Sequence, residues 1–420
     1  MITKVHAMPE AADPAPPSNA TGAARQYLVR GSSGYRKASF ALFLSGFSTF
    51  ALLYCVQPLM PIFSHDFGVS PAASSLSLSL STGLLAVAIF LAAAVSQRFG
   101  RRSLMFVSLL GASVCTVACA IAPGWNAILL IRALEGFLLG GVPAVAMAYL
   151  SEEIEPRSLG SAMGLYIAGN AFGGMAGRVF TGILAEYLSW RWALGSIGLM
   201  GMAAAAGFLI LLPPSRNFVQ HKSSARYHVD AWVGHLRNPS LAMLFAIAFL
   251  AMGSFVTIYN YAGFRLVAEP YSLNQTELGL IFTVYLFGMA ASWAGGHLGD
   301  RFGYFLVMPV GIGIALIGVA ITLAAPLWVI ILGIVLLTSG FFMAHSVASA
   351  LVGKLAKGNK GHASSLYLLA YYLGSSVAGS AGGHFWVADG WWAVVAFTGT
   401  MLLACLLAAL LSKHFAQRAG

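Results

Sequence analysis

Twelve apolar stretches, each about 20 residues long, fill the chain almost without pause from residue 38 to residue 411. Lipid offers no partner for backbone N–H and C=O groups, so only helices and closed barrels span it. These runs are too long for barrel strands. The fold expected is therefore an all-α membrane protein of twelve transmembrane helices. Charged residues are only 9% of the chain, against about 25% in a soluble domain.

The spans are expected at 38–62, 74–96, 103–122, 127–150, 160–185 and 191–212 in the first half. In the second half they are expected at 241–264, 276–297, 304–325, 327–351, 363–386 and 391–411. We number them 1 to 12. Residues 1–37 read as a disordered polar tail, 213–240 as a linker, and 413–420 as a second tail. Each gap is short and each helix is expected to be whole, with an outer loop at 63–73.

Basic residues set the expected orientation. If loops alternate sides, 19 of the 23 Lys and Arg fall on the side of the termini. By the positive-inside rule both termini are then cytoplasmic. The net charge of +10 reports topology, and a nucleic-acid role lacks the basic soluble domain it needs. Cys55, Cys115, Cys119 and Cys405 all fall inside spans, as small packing residues. No metal site or cofactor is expected.

The two halves repeat. Arg98 answers Arg301, Tyr54 answers Tyr259, and Gly136-Phe137 answers Gly340-Phe341. Gly173 and Gly177 answer Gly379 and Gly383, and Trp192 answers Trp392, all at offsets of 200–206. Two parallel six-span units related by an axis along the membrane normal are a transporter architecture, with substrate held between them.

Three motifs resemble those of the major facilitator superfamily. The loop signature G-x-x-x-D-R-x-G-R is met by Gly296, Asp300, Arg301 and Gly303 after span 8. After span 2 it keeps Arg98, Gly100, Arg101 and Arg102, with Gln97 in place of the acid and Ala93 in place of the glycine. The R-x-x-x-G motif of span 4 is met by Arg132 and Gly136. The glycine signature of antiporters in span 5 is met by Gly160, Gly169, Gly173 and Gly177, with Gly174 for its proline and Arg178 for its last glycine. The resemblance covers the folded chain. It implies a secondary carrier of the bacterial inner membrane, a monomer that exports a drug or sugar by proton-linked antiport. It also implies that the loop charges latch helix ends. A facilitator or an importing symporter on the same fold is the alternative.

Intramembrane charges mark the candidate site, since each costs ~2.5–3.5 kcal/mol even on the lenient insertion scale. Arg132 and Glu135 share a face of span 4. Glu135 is either the proton-carrying acid or half of a structural ion pair. Arg178 either binds an anionic group or Glu135, or snorkels outward. His345 is a proton relay or a packing histidine. Tyr54, Gln57, Asn170, Tyr259, Asn260 and Tyr285 offer a mixed polar and aromatic lining, with Tyr367 and Tyr371 stacked one turn apart. Gly169, Gly173 and Gly177 form one small-residue seam, and Ser375, Gly379 and Gly383 another. Spans 5 and 11 are expected to cross on these seams, as a moving interface or as plain tight packing. Trp190, Trp192, Trp391 and Trp392 are expected in the outer aromatic belt. No nucleophile set, metal-ligand set or phosphate loop suits an enzyme or an ATP-driven pump.

Overall fold

The structure, a computed structural model, describes residues 26–217 and 225–418. The side chains of residues 90, 93–99, 144, 225 and 418 are not among those described, so the side chain of Arg98 lies outside them. So does most of the expected N-terminal tail. Every regular element among the described residues is helical.

Among the described residues, nine helices are long and apolar enough to cross a membrane. The last, Lys360–Arg418, holds both spans 11 and 12, which reverse at Asp389 and Gly390. Gly390 has φ 56°, a conformation glycine adopts without steric cost. Spans 4 and 5 complete the twelve. Span 5 is the glycine-rich helix Leu159–Tyr187.

Three spans are broken, contrary to the expectation of whole helices. Span 1 starts early, at Ser33, and its helix ends at Tyr54. A 3-10 turn, Gln57–Leu59, then leads into Met60–Phe67, which leaves only 68–70 as outer loop. Span 4 splits into Trp125–Leu139 and Pro143–Glu153. Both breaks have one cause. A proline lacks the N–H that would bond the carbonyl four residues back, and its ring clashes there. Tyr54 precedes Pro58 by four residues, and Leu139 precedes Pro143 by four. Span 8 opens as Gln275–Leu280, passes through a 3-10 segment, Ile281–Val284, and continues as Tyr285–Phe302. Here the Thr283 hydroxyl donates to the Leu280 carbonyl at 2.7 Å, a local bond that competes with helix pairing. The linker also carries a helix, Ala225–Leu236.

The glycine seams pack differently from the expectation. Span 5 lies on span 1, its neighbour in the same half. A Cβ on Gly169 or Gly173 would stand 2.5 or 2.0 Å from the Phe43 or Phe47 carbonyl oxygen. On Gly177 it would stand 2.7 Å from Ala51 Cα. Gly374 of span 11 packs on the Phe249 backbone of span 7 in the same way, with its Cβ position 2.1 Å from the carbonyl oxygen. Gly379 and Gly383 instead sit between spans 7 and 2, the first near Asn260, Val256 and Ser79 and the second near Ala72 and Tyr261. Spans 5 and 11 therefore seat on different partners and do not cross on their glycines.

The two sets of six spans meet along two lines. Span 2 runs against span 11, where the Ser376 hydroxyl donates to the Ser79 carbonyl at 2.7 Å. Span 5 runs against span 8, where Gly182 sits on Gly279 and Glu186 accepts from the Gln275 backbone N–H at 2.8 Å. These contacts occupy mid-depth and the side away from the termini. Toward the termini, Gly83 of span 2 lies beside Ser376 of span 11. Glu153 binds the start of the linker through the N–H groups of Arg216 and Asn217. The linker helix binds the 10–11 loop through Tyr227 and Asn359, and span 11 through Trp232 and Ser365.

Candidate functional site between the two halves

Where the helix of span 1 gives way to a 3-10 turn, Gln57 is turned toward the other half. Its Nε2 donates to Asn260 Oδ1 of span 7 at 2.7 Å. Its Oε1 accepts from Arg178 Nε of span 5 at 2.6 Å. Arg178 Nη1 donates to the Gly174 carbonyl one turn back, also at 2.6 Å. The guanidinium lies 4.2 Å from the Tyr54 ring centroid, 4.9 Å from that of Phe282 and 5.0 Å from that of Tyr285. Aromatic faces attract cations at such distances. Five expected residues, Tyr54, Gln57, Arg178, Asn260 and Tyr285, thus form one cluster. Arg178 is 2% exposed, so it does not snorkel.

The second half adds an aromatic wall. Tyr259 donates to or accepts from the Thr338 hydroxyl at 2.7 Å and stacks on Phe282. Phe255 stacks on Phe341 at 4.1 Å, and Phe341 on His345 at 5.7 Å. Tyr367 and Tyr371 do not stack on each other as expected. They bracket the His345 ring at 5.6 and 4.8 Å, and the Tyr367 hydroxyl meets His345 Nδ1 at 2.9 Å. His345 is half-buried.

Arg132 and Glu135 lie elsewhere, inside the first half. They pair at 2.6 Å and both are fully buried. Arg132 also donates to the carbonyls of Ser77, Leu52 and Leu53. It therefore ties the end of the span 1 helix to span 2. The expected pairing of Arg178 with Glu135 is not formed. Asn170 lies between spans 5 and 1, against Gly46.

The loop motifs act locally. Gly100 and Gly303 turn the chain at φ 77° and 94°, where a side chain would be strained. Arg101 pairs with Glu152 at 2.5 Å, joining the 2–3 loop to the end of span 4. Asp300 accepts from the Tyr304 hydroxyl, and Arg301 lies over Phe302. Trp190 and Trp391 are buried, bonded to Asp66 and Thr322, while Trp192 and Trp392 stay exposed as a belt requires.

Sequence reasoning missed Ser79, Phe282 and Ser376. A signal existed for the first: the run from Ser74 to Thr82 places six hydroxyls in a span, more than packing alone calls for.

The chain matches the Major Facilitator Superfamily family model over residues 42–269 and 244–418. It is a major facilitator superfamily protein. It is 47% identical over 380 residues to the uncharacterized MFS-type transporter YybF of Bacillus subtilis (strain 168), covering 90% of this chain and 94% of that one. It is 44% identical over 382 residues to the inner membrane transport protein YnfM of Escherichia coli (strain K12), covering 91% and 92%. Among solved structures it resembles a bacterial homologue of the human lysosomal transporter Spinster in an inward-facing and occupied conformation. That match has TM-score 0.73 and 16% identity, covering 92% of this chain and 97% of that one. The twelve-helix fold is that of the superfamily, and the chain is a multi-pass membrane transporter.

Proposed function

We propose that this protein exports a small organic solute across a bacterial inner membrane in exchange for protons, as a monomer with both termini in the cytoplasm. The observation that carries the reading is the cluster of Arg178, Gln57 and Asn260. It joins the two halves within the membrane-spanning helices, and an alternating-access site lies between the halves near the midplane. The glycine register of span 5 supports export, and the basic residues on the terminal side support the orientation.

Geometry favours His345 over Glu135 as the proton-exchanging group. Glu135 is sealed inside the first half on Arg132, whose other bonds hold backbone. His345 is half-buried in the aromatic wall, with a tyrosine hydroxyl on one nitrogen. The substrate can reach it, and a carrier couples two ligands through such shared reach.

The test is uptake into everted vesicles with and without an imposed proton gradient, across a panel of dyes, antibiotics, sugars and organic acids. Gradient-stimulated uptake is expected, lost in His345→Gln and kept in Glu135→Gln. Uptake that ignores the gradient would favour a facilitator, and uptake only into right-side-out vesicles an importer.

A further inference from the structure

We infer that the transported solute is a planar organic anion, such as an aromatic carboxylate, whose charged end is held by Arg178 and Asn260. The inference rests on the carrier reading above and names the substrate class of that same site.

Charge balance comes first. Arg178 is buried, yet among the described residues no carboxylate pairs with it. Of the two buried acids among the described residues, Glu135 is committed to Arg132 and Glu153 to the backbone N–H groups of Arg216 and Asn217. Arg178 spends Nε and Nη1 on neutral acceptors, and Nη2 makes no hydrogen bond among the described residues. A buried cation is costly unless paired and hydrogen-bonded. The aromatic rings around it offset part of that cost. A bound anion would complete the balance, whereas a cationic solute would double the charge.

The neighbouring polar atoms point the same way. Ser79 Oγ and Asn260 Nδ2 are buried without a hydrogen-bond partner, and the Tyr54 and Ser375 hydroxyls beside them have only each other within reach. All four can donate, and Asn260 Nδ2 can only donate. Native structures rarely leave such groups unmet. Gly379 stands among them: a Cβ there would lie 3.2 Å from Asn260 Nδ2 and 3.6 Å from Ser79 Oγ. Even a methyl there would press on Asn260 and Val256, so glycine leaves these donors uncovered on the side of span 11. Carboxylate oxygens are the acceptors such a donor set suits.

The shape follows from span 11. Tyr371, Ser375 and Gly379 recur every four residues and share one face. Along it an aromatic ring is followed by a hydroxyl and then by the space beside Asn260. Tyr371 lies against His345 and Phe341. A solute with its anionic end at Gly379 would rest a flat body on these rings.

The test uses the full-length protein in nanodiscs and three probes of one shape: benzoate, benzamide and benzylammonium. Affinity is read from the thermal shift and from tryptophan fluorescence. Benzoate should bind roughly tenfold or more tightly than benzamide, the size of a charge-assisted hydrogen bond, and benzylammonium should bind least. Arg178→Gln should erase the difference between benzoate and benzamide, and Arg178→Lys should keep part of it. Gly379→Ala should weaken benzoate with the unliganded melting temperature unchanged, which guards against a folding defect in the Arg178 variants. Equal or tighter binding of the amide or the ammonium, a preference that survives Arg178→Gln, or no binding by any probe would overturn the anion assignment. Each of these leaves the carrier reading standing, because that reading falls only with the vesicle experiment.

Discussion

Gln57 Nε2 donates to Asn260 Oδ1 at 2.7 Å, and this bond spans the two halves. The same amide accepts from Arg178, so one side chain both joins the halves and orients the cation. It can do so because Pro58 stops the span 1 helix short of it.

Gln57→Leu should therefore separate these two roles from folding. It removes both bonds while keeping an apolar filling of similar size. Transport should fall at least tenfold, and the protein should still insert and elute as a monomer. Wild-type rates in Gln57→Leu would show that the contact is incidental.

Arg132 and Glu135 should behave as structure. Arg132→Leu leaves Glu135 buried without a partner, a change that costs ~3–5 kcal/mol, and it also frees three carbonyls. Loss of folded protein is expected in detergent melting curves. Glu135→Gln keeps an acceptor for Arg132, so folding and gradient-driven transport should persist. Failure of energised transport with intact downhill exchange would return the proton role to Glu135.

The glycines should split into two classes. Gly173→Leu drives a side chain into the Phe47 backbone, whose oxygen would stand 2.0 Å from the new Cβ, so the first half should fail to assemble. Gly379 meets only side-chain atoms, the nearest at 3.2 Å, so Gly379→Ala should fold and transport poorly. Size-exclusion profiles and uptake distinguish the two. A well-folded Gly173→Leu would contradict the backbone contact.

Docking of the linker helix should weaken in acid. His228 Nδ1 lies 2.8 Å from His362 Nε2, so one ring must stay neutral to accept. Burial first, then His228 and His235, hold His362 below its ordinary value of 6.5. The folded pKa is depressed, so the docked state is fully favoured above about pH 6.5 and loses stability as pH falls below it. Hydrogen exchange across 225–236 should speed up between pH 7.5 and pH 5.5. Equal protection at both would remove the histidine pair as the cause.

Much of this was legible beforehand, because lipid demands long apolar helices and the duplication fixes their grouping. Tyr54, Gln57, Arg178, Asn260 and Tyr285 stood out as polar or aromatic groups in spans, and the fold brings them together. Partnership was not legible. Helical spacing places Gly173 and Gly177 on one face, but which helix that face meets depends on how the bundle closes. Likewise Glu135 and Arg178 are each a charge in a span, and only packing shows that Glu135 is already ion-paired, with Arg132, while Arg178 bonds only neutral acceptors. The breaks in spans 1 and 4 could have been read from Pro58 and Pro143 by the four-residue rule.

Transport should require the halves to part on the side away from the termini. Glu186 of span 5 and Gln275 of span 8 meet there across the seam. Cysteines at these two positions, joined by a short bifunctional thiol reagent in proteoliposomes, would hold that side shut. The native cysteines are all buried. Transport should stop on cross-linking and return when a reducible linker is cleaved, with each single-cysteine variant unaffected. Undiminished transport by the cross-linked double variant would show that this side need not open.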